Sequence, residues 1–251
     1  NATNASSRIM QGLVLIPGKS LLSNYVGLLQ RSRDAQIVNI WQAMINSLLI
    51  TVPTTVLQVY FASFTAYGIT VYRFKGRSFA WAFIYAIMMI PTQVSIVGLI
   101  KVTQMVHLYG SRFALILPAI AAPTTVYFMK QYMESSFSVE IVEAARIDGS
   151  GELHTFNTIA LPLLKPAMAT QAIFAFVSSW NNLYTPSILL ATRREKATMP
   201  MFIEALKSND KQRDFGQIYL GLAMSVLPIM VAYFMLSKYI VAGVALGGVK
   251  E

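Results

Sequence analysis

The sequence predicts an all-helical protein that is integral to a membrane. Hydrophobic residues make up 55% of the 251 residues and charged residues only 12%, about half the charged fraction that is usual in soluble domains. Five windows, between 17 and 38 residues long, contain no Asp, Glu, Lys or Arg. A membrane-spanning helix needs roughly 20 mostly apolar residues, and an ionised side chain at its centre costs several kcal/mol. Buried helices of a large soluble protein rarely lack charges on every face, so the windows favour membrane spans.

Each of the five windows gives one predicted span. Most spans contain an interior proline, which membrane helices tolerate because neighbouring groups satisfy the freed carbonyl. Prolines also bend helices, which is compatible with a protein that encloses an internal path. We expect one transmembrane domain over residues 1–251, with a five-span core over residues 44–241. The predicted spans are Met44–Tyr67, Phe79–Lys101, Phe113–Met133, Leu164–Leu183 and Phe215–Leu236.

The first 36 residues precede these spans. The apolar residues that recur there at helical spacing are Leu21, Leu22, Tyr25, Leu28 and Leu29. This spacing predicts a short amphipathic helix that lies on the membrane or on the protein. The chain begins with Asn1 and shows no signal-peptide pattern, so we expect a processed chain or one without its N-terminal part.

Several chemistries are excluded by the residues that the sequence lacks. The absence of cysteine excludes disulfides, thiolate metal sites and cysteine nucleophiles. The formal charge of +9 is divided among short loops, which leaves no basic surface of the extent that nucleic acids require. Gly12–Ser20 ends in Gly-Lys-Ser, but five residues lie between its glycines instead of the four of a phosphate-binding loop. The two histidines, His107 and His154, are far apart in the sequence, so no metal site is predicted.

The charged connections give a predicted orientation. Arg73–Arg77 forms a tight basic turn, which is cytoplasmic by the positive-inside rule. Alternation of the spans then places residues 134–165 and the C-terminus in the cytoplasm, and residues 1–36 and 192–214 outside it. The outer loop 192–214 holds more Lys and Arg than the basic turn does. Charge counting alone therefore leaves the orientation open.

The segment Ser138–Leu164 concentrates charges between two spans. Ser138 is placed to cap a helix that has Glu140 in its first turn, and Gly149 can adopt the left-handed conformation that ends a helix. A second helix then has an apolar side formed by Leu153, Phe156 and Ile159. The product is a helix–turn–helix on the membrane surface in which Glu143 presents a fixed negative charge. On spacing alone, an ordinary amphipathic surface loop is the favoured alternative.

The same segment resembles the EAA loop of ABC importer permeases. In that loop Glu-Ala-Ala is followed by three residues, Gly, nine residues and Ile-x-Leu-Pro. Every position of this long, gapped pattern is filled here, by Glu143, Ala144, Ala145, Gly149, Ile159, Leu161 and Pro162.

The resemblance covers nearly the whole chain and is to the carbohydrate-uptake branch, similar to the MalG-type permeases of maltose importers. The other matching segments are SNYVGLL near Tyr25, NSLLITV at Asn46–Val52, AYGITVYRFKGR, MIPTQV at Met89–Val94, FVSSWNNLYTPSILL at Phe176–Leu190 and GGVK at Gly247–Lys250. The resemblance implies a MetI-like permease bundle. That family has six spans, so we expect the first of them to precede Asn1.

The resemblance also implies a function, a set of partners and a set of site residues. The chain would be the membrane-spanning subunit of a binding-protein-dependent importer for a sugar or oligosaccharide, in a bacterial cytoplasmic membrane, and not an enzyme. Its partners would be a second permease subunit in a heterodimer, two cytoplasmic ATP-binding subunits, a solute-binding protein and lipid. No cofactor is expected in this chain, because ATP and Mg would be bound by the ATP-binding subunits. The residues expected to couple to those subunits are Glu143, Ala144, Ala145, Asp148, Gly149, Leu153, Phe156, Ile159, Leu161 and Pro162, with Val249 and Lys250 as a C-terminal contact.

Substrate contacts are expected from aromatic faces and amide groups, which sugars bind. The candidates are Gln93, Trp180, Asn181, Asn182 and Tyr184. An equally acceptable interpretation makes Trp180 and Tyr184 an aromatic anchor at the membrane interface. Two other functions stay open: an importer of another solute, such as a peptide, polyamine or anion, and an integral-membrane enzyme or autonomous channel. An enzyme is disfavoured because the windows lack Asp, Glu, Cys and His.

Overall fold

The computed structural model describes residues 1–12, 14, 16–34, 38–91, 93–208 and 214–247. These residues form helices joined by short connections and contain no β-strand, which confirms the all-helical class. A π-helix, Phe156–Ala160, links α9 to α10, and a 3-10 turn, Arg194–Lys196, precedes α13. The α-helices are α1 (Ser6–Met10), α2 (Leu21–Asp34), α3 (Ile40–Val71), α4 (Arg77–Met88), α5 (Ile96–Met105), α6 (Phe113–Ile120), α7 (Pro123–Ser136), α8 (Glu140–Ile147), α9 (Glu152–Thr155), α10 (Leu161–Leu163), α11 (Lys165–Trp180), α12 (Tyr184–Leu189), α13 (Met199–Ser208) and α14 (Phe215–Gly247).

The helices belong to two compact units. Unit 1 consists of Asn1–Val52, Thr103–Leu115 and Val177–Val231. Unit 2 consists of Pro53–Val102, Ile116–Phe176 and the segment that starts at Ala232. The helices α3, α5, α6, α11 and α14 therefore contribute residues to both units.

Within the described residues, three stretches are individually long and apolar enough to cross a membrane. They are α3 with 32 residues, α6 and α7 together over Phe113–Ser136 with 24 residues, and Phe215–Tyr239 of α14 with 25 residues. These stretches confirm the first, third and fifth predicted spans. Pro53 and Pro228 lie inside α3 and α14, so the interior prolines are accommodated within long helices.

The second predicted span, Phe79–Lys101, is not one continuous helix. Its residues form two shorter apolar helices, α4 and α5, on either side of a segment that contains Pro91. Proline has no N–H to donate to a preceding carbonyl, and it disfavours helical geometry at the residue before it. The lack of charge predicted the apolar character of this stretch but not its break.

The fourth predicted span, Leu164–Leu183, corresponds to α11, which ends at Trp180. At 16 residues α11 is shorter than most spanning helices. It is bent by 80° from the helical segment Glu152–Leu163, and only the two together are long and apolar enough to cross a membrane. The bend lies between Pro162 and Pro166, whose missing N–H groups interrupt the helical hydrogen bonds.

The amphipathic helix predicted in the N-terminal segment is α2. Leu28 is fully buried, whereas Leu22 is exposed, so one side of the helix packs on unit 1. The buried side chain of Asn24 donates to the carbonyl oxygens of Ala2 and Asn4, at 2.8 and 3.0 Å. These hydrogen bonds hold the first residues of the chain beside α2.

The core of unit 2 is built around Phe156, at the start of the π-helix. Its fully buried ring lies 5.7, 5.0 and 5.2 Å from the ring centroids of Tyr60, Phe64 and Tyr67, all in α3. The apolar residues that complete this core are Ala66, Val71, Met129, Met133, Val142, Ala160, Leu164 and Ala167. They come from α3, α7, α8, the π-helix and α11, so the core joins the segment 138–164 to three apolar helices.

We expect Phe156→Ala to lower the free energy of unfolding by about 3–5 kcal/mol, because it removes a buried ring and leaves a cavity. The matched control is Leu153→Ala, three residues earlier. Leu153 is 64% exposed, so this change should cost less than about 0.5 kcal/mol. Unfolding of both variants in the same detergent measures the difference. Equal losses would show that the Phe156 ring does not hold the unit 2 core together.

Candidate functional site

The helix α8 has one buried side and one exposed side. Val142 and Ala145 face the unit 2 core, at 0% and 6% exposure, while Glu143, Ala144 and Ile147 are exposed. Residues three apart share a side of a helix, so burial of Val142 and Ala145 turns the residues between and beyond them outward. The small Ala145 allows α8 to approach the core closely, and Ala144 leaves the outer surface free of a bulky side chain.

The start of α8 differs from the prediction. The N-cap residue is Val139, and no side chain caps the helix. Ser138 donates a hydrogen bond to the carboxylate of Glu140 instead. This carboxylate lies in the first turn, where negative charge is favourable beside the helix dipole. The hydrogen bonds from Ser138 and from the backbone lower the pKa of Glu140.

The end of α8 agrees with the prediction. Gly149 has a φ of +79°, in the left-handed region that is strained for a residue with a Cβ. Its N–H donates to the carbonyl of Arg146 at 3.0 Å, and the N–H of Ser150 donates to the carbonyl of Ala145 at 2.9 Å. Together these two hydrogen bonds form a Schellman motif. A Cβ added at Gly149 would meet no atom within 4 Å, so the turn needs glycine for its conformation and not for packing within this chain.

A charged clamp joins α8 to α9 and to the end of α3. Arg146 donates from Nε and Nη2 to the two carboxylate oxygens of Glu152, at 2.8 and 3.2 Å. Tyr72, which directly follows α3, also donates to this carboxylate, and its ring lies 5.2 Å from the guanidinium of Arg146. The hydrogen bond to Glu152 raises the pKa of Arg146. The pKa of Tyr72 is raised mainly by burial and also by its hydrogen bond to Glu152. Partly exposed ion pairs contribute at most about 1 kcal/mol, so the clamp orients the two helices more than it stabilises them.

The predicted coupling residues after α9 are divided between the surface and the core. Leu153 is 64% exposed, whereas Phe156 is fully buried. The prediction that Phe156 supplies docking area is therefore wrong, because its ring fills the core of its own chain. The helical geometry changes from α to π at Phe156. Residues that would share one side of a continuous α-helix therefore do not share a side across this position. Ile159 and Leu161 are partly buried, and Pro162 is exposed.

Ile147 was missed when the sequence was read for coupling residues. It is 86% exposed, whereas the other large apolar residues of α8, Ile141 and Val142, are 41% and 0% exposed. The signal was present, because Ile147 falls outside the side of the helix that Val142 and Ala145 define. We call five exposed residues of α8, the turn after it and α9 the outer face: Glu143, Ala144, Ile147, Asp148 and Leu153.

Trp180 does not have the surroundings predicted for it. The side chain is 1% exposed, and its indole N–H donates to the carbonyl oxygen of Ser225 at 3.0 Å. The ring is thus part of the unit 1 core, with its polar group satisfied by α14. This burial corrects both interpretations of Trp180, as a sugar contact and as an interfacial anchor.

The other candidate sugar contacts differ in exposure. Asn182 accepts a hydrogen bond from the backbone N–H of Thr185 at 3.2 Å, which holds the start of α12. Asn181 and Tyr184 are exposed in unit 1, and Gln93 is exposed in unit 2. Asn181 therefore offers an exposed amide directly after the buried Trp180, and Tyr184 offers an exposed ring four residues after it.

Two further predictions concern the C-terminus and metals. Val249 and Lys250 lie outside the described residues. Within the part of the chain that the structure describes, no group of three or more His, Asp or Glu side chains is arranged to hold a metal ion.

Sequence comparison finds relatives that share most of the chain. Residues 58–245 match the family model described as "Binding-protein-dependent transport system inner membrane component". AraQ of Bacillus subtilis, an arabinooligosaccharides transport system permease protein, is 35% identical over 205 residues, which cover 82% of this chain and 72% of the relative. MdxG of the same organism, a maltodextrin transport system permease protein, is 32% identical over 207 residues, which cover 82% of this chain and 74% of the relative.

The fold also matches a solved structure. A chain of a bacterial ABC transporter involved in the import of the acidic polysaccharide alginate superposes with a TM-score of 0.76 and 23% identity. The match covers 95% of this chain and 86% of that chain. It confirms the MetI-like helical fold that the sequence predicts.

We expect substitutions at Gly149 to follow the cost of a left-handed φ. Gly149→Ala should lower the free energy of unfolding by about 1–2 kcal/mol, and Gly149→Asn by less, because Asn visits this conformation more readily. Gly151→Ala is the matched control. Gly151 also has open space around it but has a φ of −70°, so the same side chain meets no strain there. Thermal unfolding measures the loss of stability in each variant. Equal losses in Gly149→Ala and Gly151→Ala would contradict the requirement for glycine at position 149.

Proposed function

We propose that this chain, which belongs to the family of binding-protein-dependent transport system inner membrane components, is the permease subunit of an ATP-driven importer for a sugar or oligosaccharide. Membership makes it a multi-pass protein of the cytoplasmic membrane, in agreement with the long apolar stretches of α3, α6–α7 and α14.

The outer face of α8 is the observation that carries the proposal. The opposite side of the helix is fixed in the unit 2 core by Val142, and Ala145 is buried on the same side. The carboxylate of Glu143 has no hydrogen bond or ion pair to the described residues, and it lies one helical turn before the exposed Ile147. A carboxylate without a cationic partner in its own chain, next to an exposed apolar side chain, suits a protein partner that offers a basic residue in an apolar cleft.

That partner, in our proposal, is a cytoplasmic ATP-binding subunit. Glu143 pairs with a basic residue of its cleft, and Ala144 admits the surface of the partner close to the helix. Two such subunits bind ATP and Mg, and this chain binds neither. A second permease subunit and an extracytoplasmic solute-binding protein complete the assembly.

Movement of α8 is passed on through contacts within unit 2. Val142 and Phe156 tie the segment 138–164 to the residues of α3, α7 and α11 in that unit. Tyr72 and Arg146 add the polar clamp to the end of α3. A close-packed core moves as a body and does not deform gradually. Closure of the ATP-binding subunits therefore rocks these helices together, as in rigid-body switches between two access states.

The substrate class rests on the relatives. AraQ and MdxG are named for arabinooligosaccharide and maltodextrin transport systems. In this chain, the exposed Tyr184 offers an aromatic face and the exposed Asn181 offers an amide, the groups that bind the C–H surfaces and hydroxyls of sugars. We assign the sugar contacts of unit 1 to these two residues, and Gln93 remains a candidate in unit 2.

We expect Glu143→Ala to weaken association with the ATP-binding subunit roughly 10- to 100-fold, since a hydrogen bond to a charged group is worth about 1.5–3 kcal/mol. Sugar uptake by proteoliposomes that contain the assembled transporter and its binding protein should fall in parallel. Glu140→Ala is the matched control, because it removes the same charge from the same first turn of α8 and should retain the ATP-binding subunit. If the Glu143→Ala variant retained that subunit as well as the wild-type chain does, the proposed contact would be contradicted.

Tyr184→Ala should reduce sugar uptake about 3- to 10-fold without loss of stability, because an aromatic contact is worth about 0.5–1.5 kcal/mol. Trp180→Ala is a contrasting variant. Its ring is buried, so this change should cost about 3–5 kcal/mol of stability. Uptake assays and thermal unfolding distinguish the two effects. Unchanged uptake by a stably folded Tyr184→Ala variant would remove Tyr184 from the substrate path.

A further inference from the structure

A cleft of about 500 Å³ lies between the start of α8 and the turn that joins α3 to α4, within unit 2. Its charged lining consists of Arg73, Arg77, Glu140, Glu143 and Arg146. A cleft of this volume is large enough for a small ligand. The proposed contact with the ATP-binding subunit accounts for Glu143 but not for the two arginines of the turn.

The two walls of this cleft carry opposite charges. Arg73 and Arg77 come from the turn and make no side-chain hydrogen bond or ion pair with the described residues. Glu140 and Glu143 come from α8, and neither carboxylate has a cationic partner among those residues. Arg146 is neutralised by Glu152. A simple anion or a simple cation would therefore meet like charges on one wall, which disfavours binding.

The surroundings of the turn are typical of the level of lipid headgroups. The apolar helix α3 ends at Val71, and the apolar helix α4 begins at Arg77. Phe74 within the turn is 47% exposed, and Phe79 in the first turn of α4 is 76% exposed. Exposed aromatic and basic side chains at the ends of apolar helices are enriched at membrane interfaces. A ligand of this cleft is therefore within reach of the bilayer surface.

We propose that the cleft binds the headgroup of an aminophospholipid of the phosphatidylethanolamine type. The phosphate lies between Arg73 and Arg77, because guanidinium groups form paired hydrogen bonds with phosphate oxygens. The primary ammonium lies toward Glu140, whose oxygens accept its N–H groups. This zwitterion matches both walls. An anionic glycerol headgroup would leave the Glu140 carboxylate without a cationic partner, and a choline headgroup has no N–H to donate.

Native mass spectrometry of the purified transporter in detergent tests this site. Phosphatidylethanolamine, phosphatidylcholine and phosphatidylglycerol with identical acyl chains are added in turn, and lipid retention is measured. We expect phosphatidylethanolamine to be retained several-fold better than either other lipid. Arg77→Gln should reduce its retention about 10-fold, because a charged hydrogen-bond donor to the phosphate is lost. Lys75→Gln is the matched control, since Lys75 belongs to the same turn but does not line the cleft.

A second variant tests the opposite wall. Glu140→Gln should narrow the preference for phosphatidylethanolamine over phosphatidylglycerol, because it removes a carboxylate that favours the ammonium. Glu140 is outside the residues proposed to hold the ATP-binding subunit, so this variant should keep that subunit. Lipid selectivity and retention of the ATP-binding subunit are therefore measured independently, so a failure of this proposal is distinguishable from a failure of the proposed function.

Four results would overturn the proposal. Equal retention of the three lipids would show that the cleft does not recognise the headgroup. Equal losses from Arg77→Gln and Lys75→Gln would show only a general effect of charge. Displacement of the lipid by millimolar water-soluble phosphoethanolamine would show that the ligand is a free headgroup and not a membrane lipid. Loss of the ATP-binding subunit from Arg77→Gln, with lipid retention unchanged, would show that the cleft is a protein contact.

Discussion

The packing of Phe156 against α3 determines where the segment 138–164 lies in unit 2. Three rings of α3 surround Phe156, and Val142 of α8 belongs to the same core. Loss of a buried aromatic ring costs about 3–5 kcal/mol, whereas a partly exposed ion pair such as Arg146–Glu152 contributes at most about 1 kcal/mol. The core therefore fixes the position of α8, and the polar clamp adjusts its orientation.

This division of roles leaves the outer face of α8 available. The residues that hold the helix are buried on one side, so Glu143 and Ile147 are not needed for the fold of this chain. Gly149 ends the helix without contributing to packing. The charge and apolar surface of the outer face can thus serve a partner protein. A segment that is rigid toward its own chain and open toward another is suited to pass on a movement.

Much of the fold could be predicted from the sequence, because the lipid environment restricts spans to long stretches without charge. This constraint identified α3 and α14, and the requirement for a left-handed residue identified the end of α8 at Gly149. The break near Pro91 was not predictable in the same way, since proline is accommodated inside α3 but interrupts the stretch between α4 and α5. The side on which Phe156 lies depends on a change to π-helical geometry, which the apolar spacing does not show. Trp180 was misassigned because aromatic residues occur in cores, at interfaces and in sugar sites, and only its burial and its bond to Ser225 distinguish these.

We expect α8 and the helices packed around Phe156 to move as one body. This chain contains no cysteine, so spin labels can be placed at two chosen positions of it. Labels at Ile141 in α8, which is exposed but outside the outer face, and at the exposed Gln131 in α7 report the distance across the unit 2 core in the assembled transporter. Because the two labels would move together, we expect the same narrow distance distribution with and without ATP. A shift of several ångström, or a second population, on addition of ATP would contradict it.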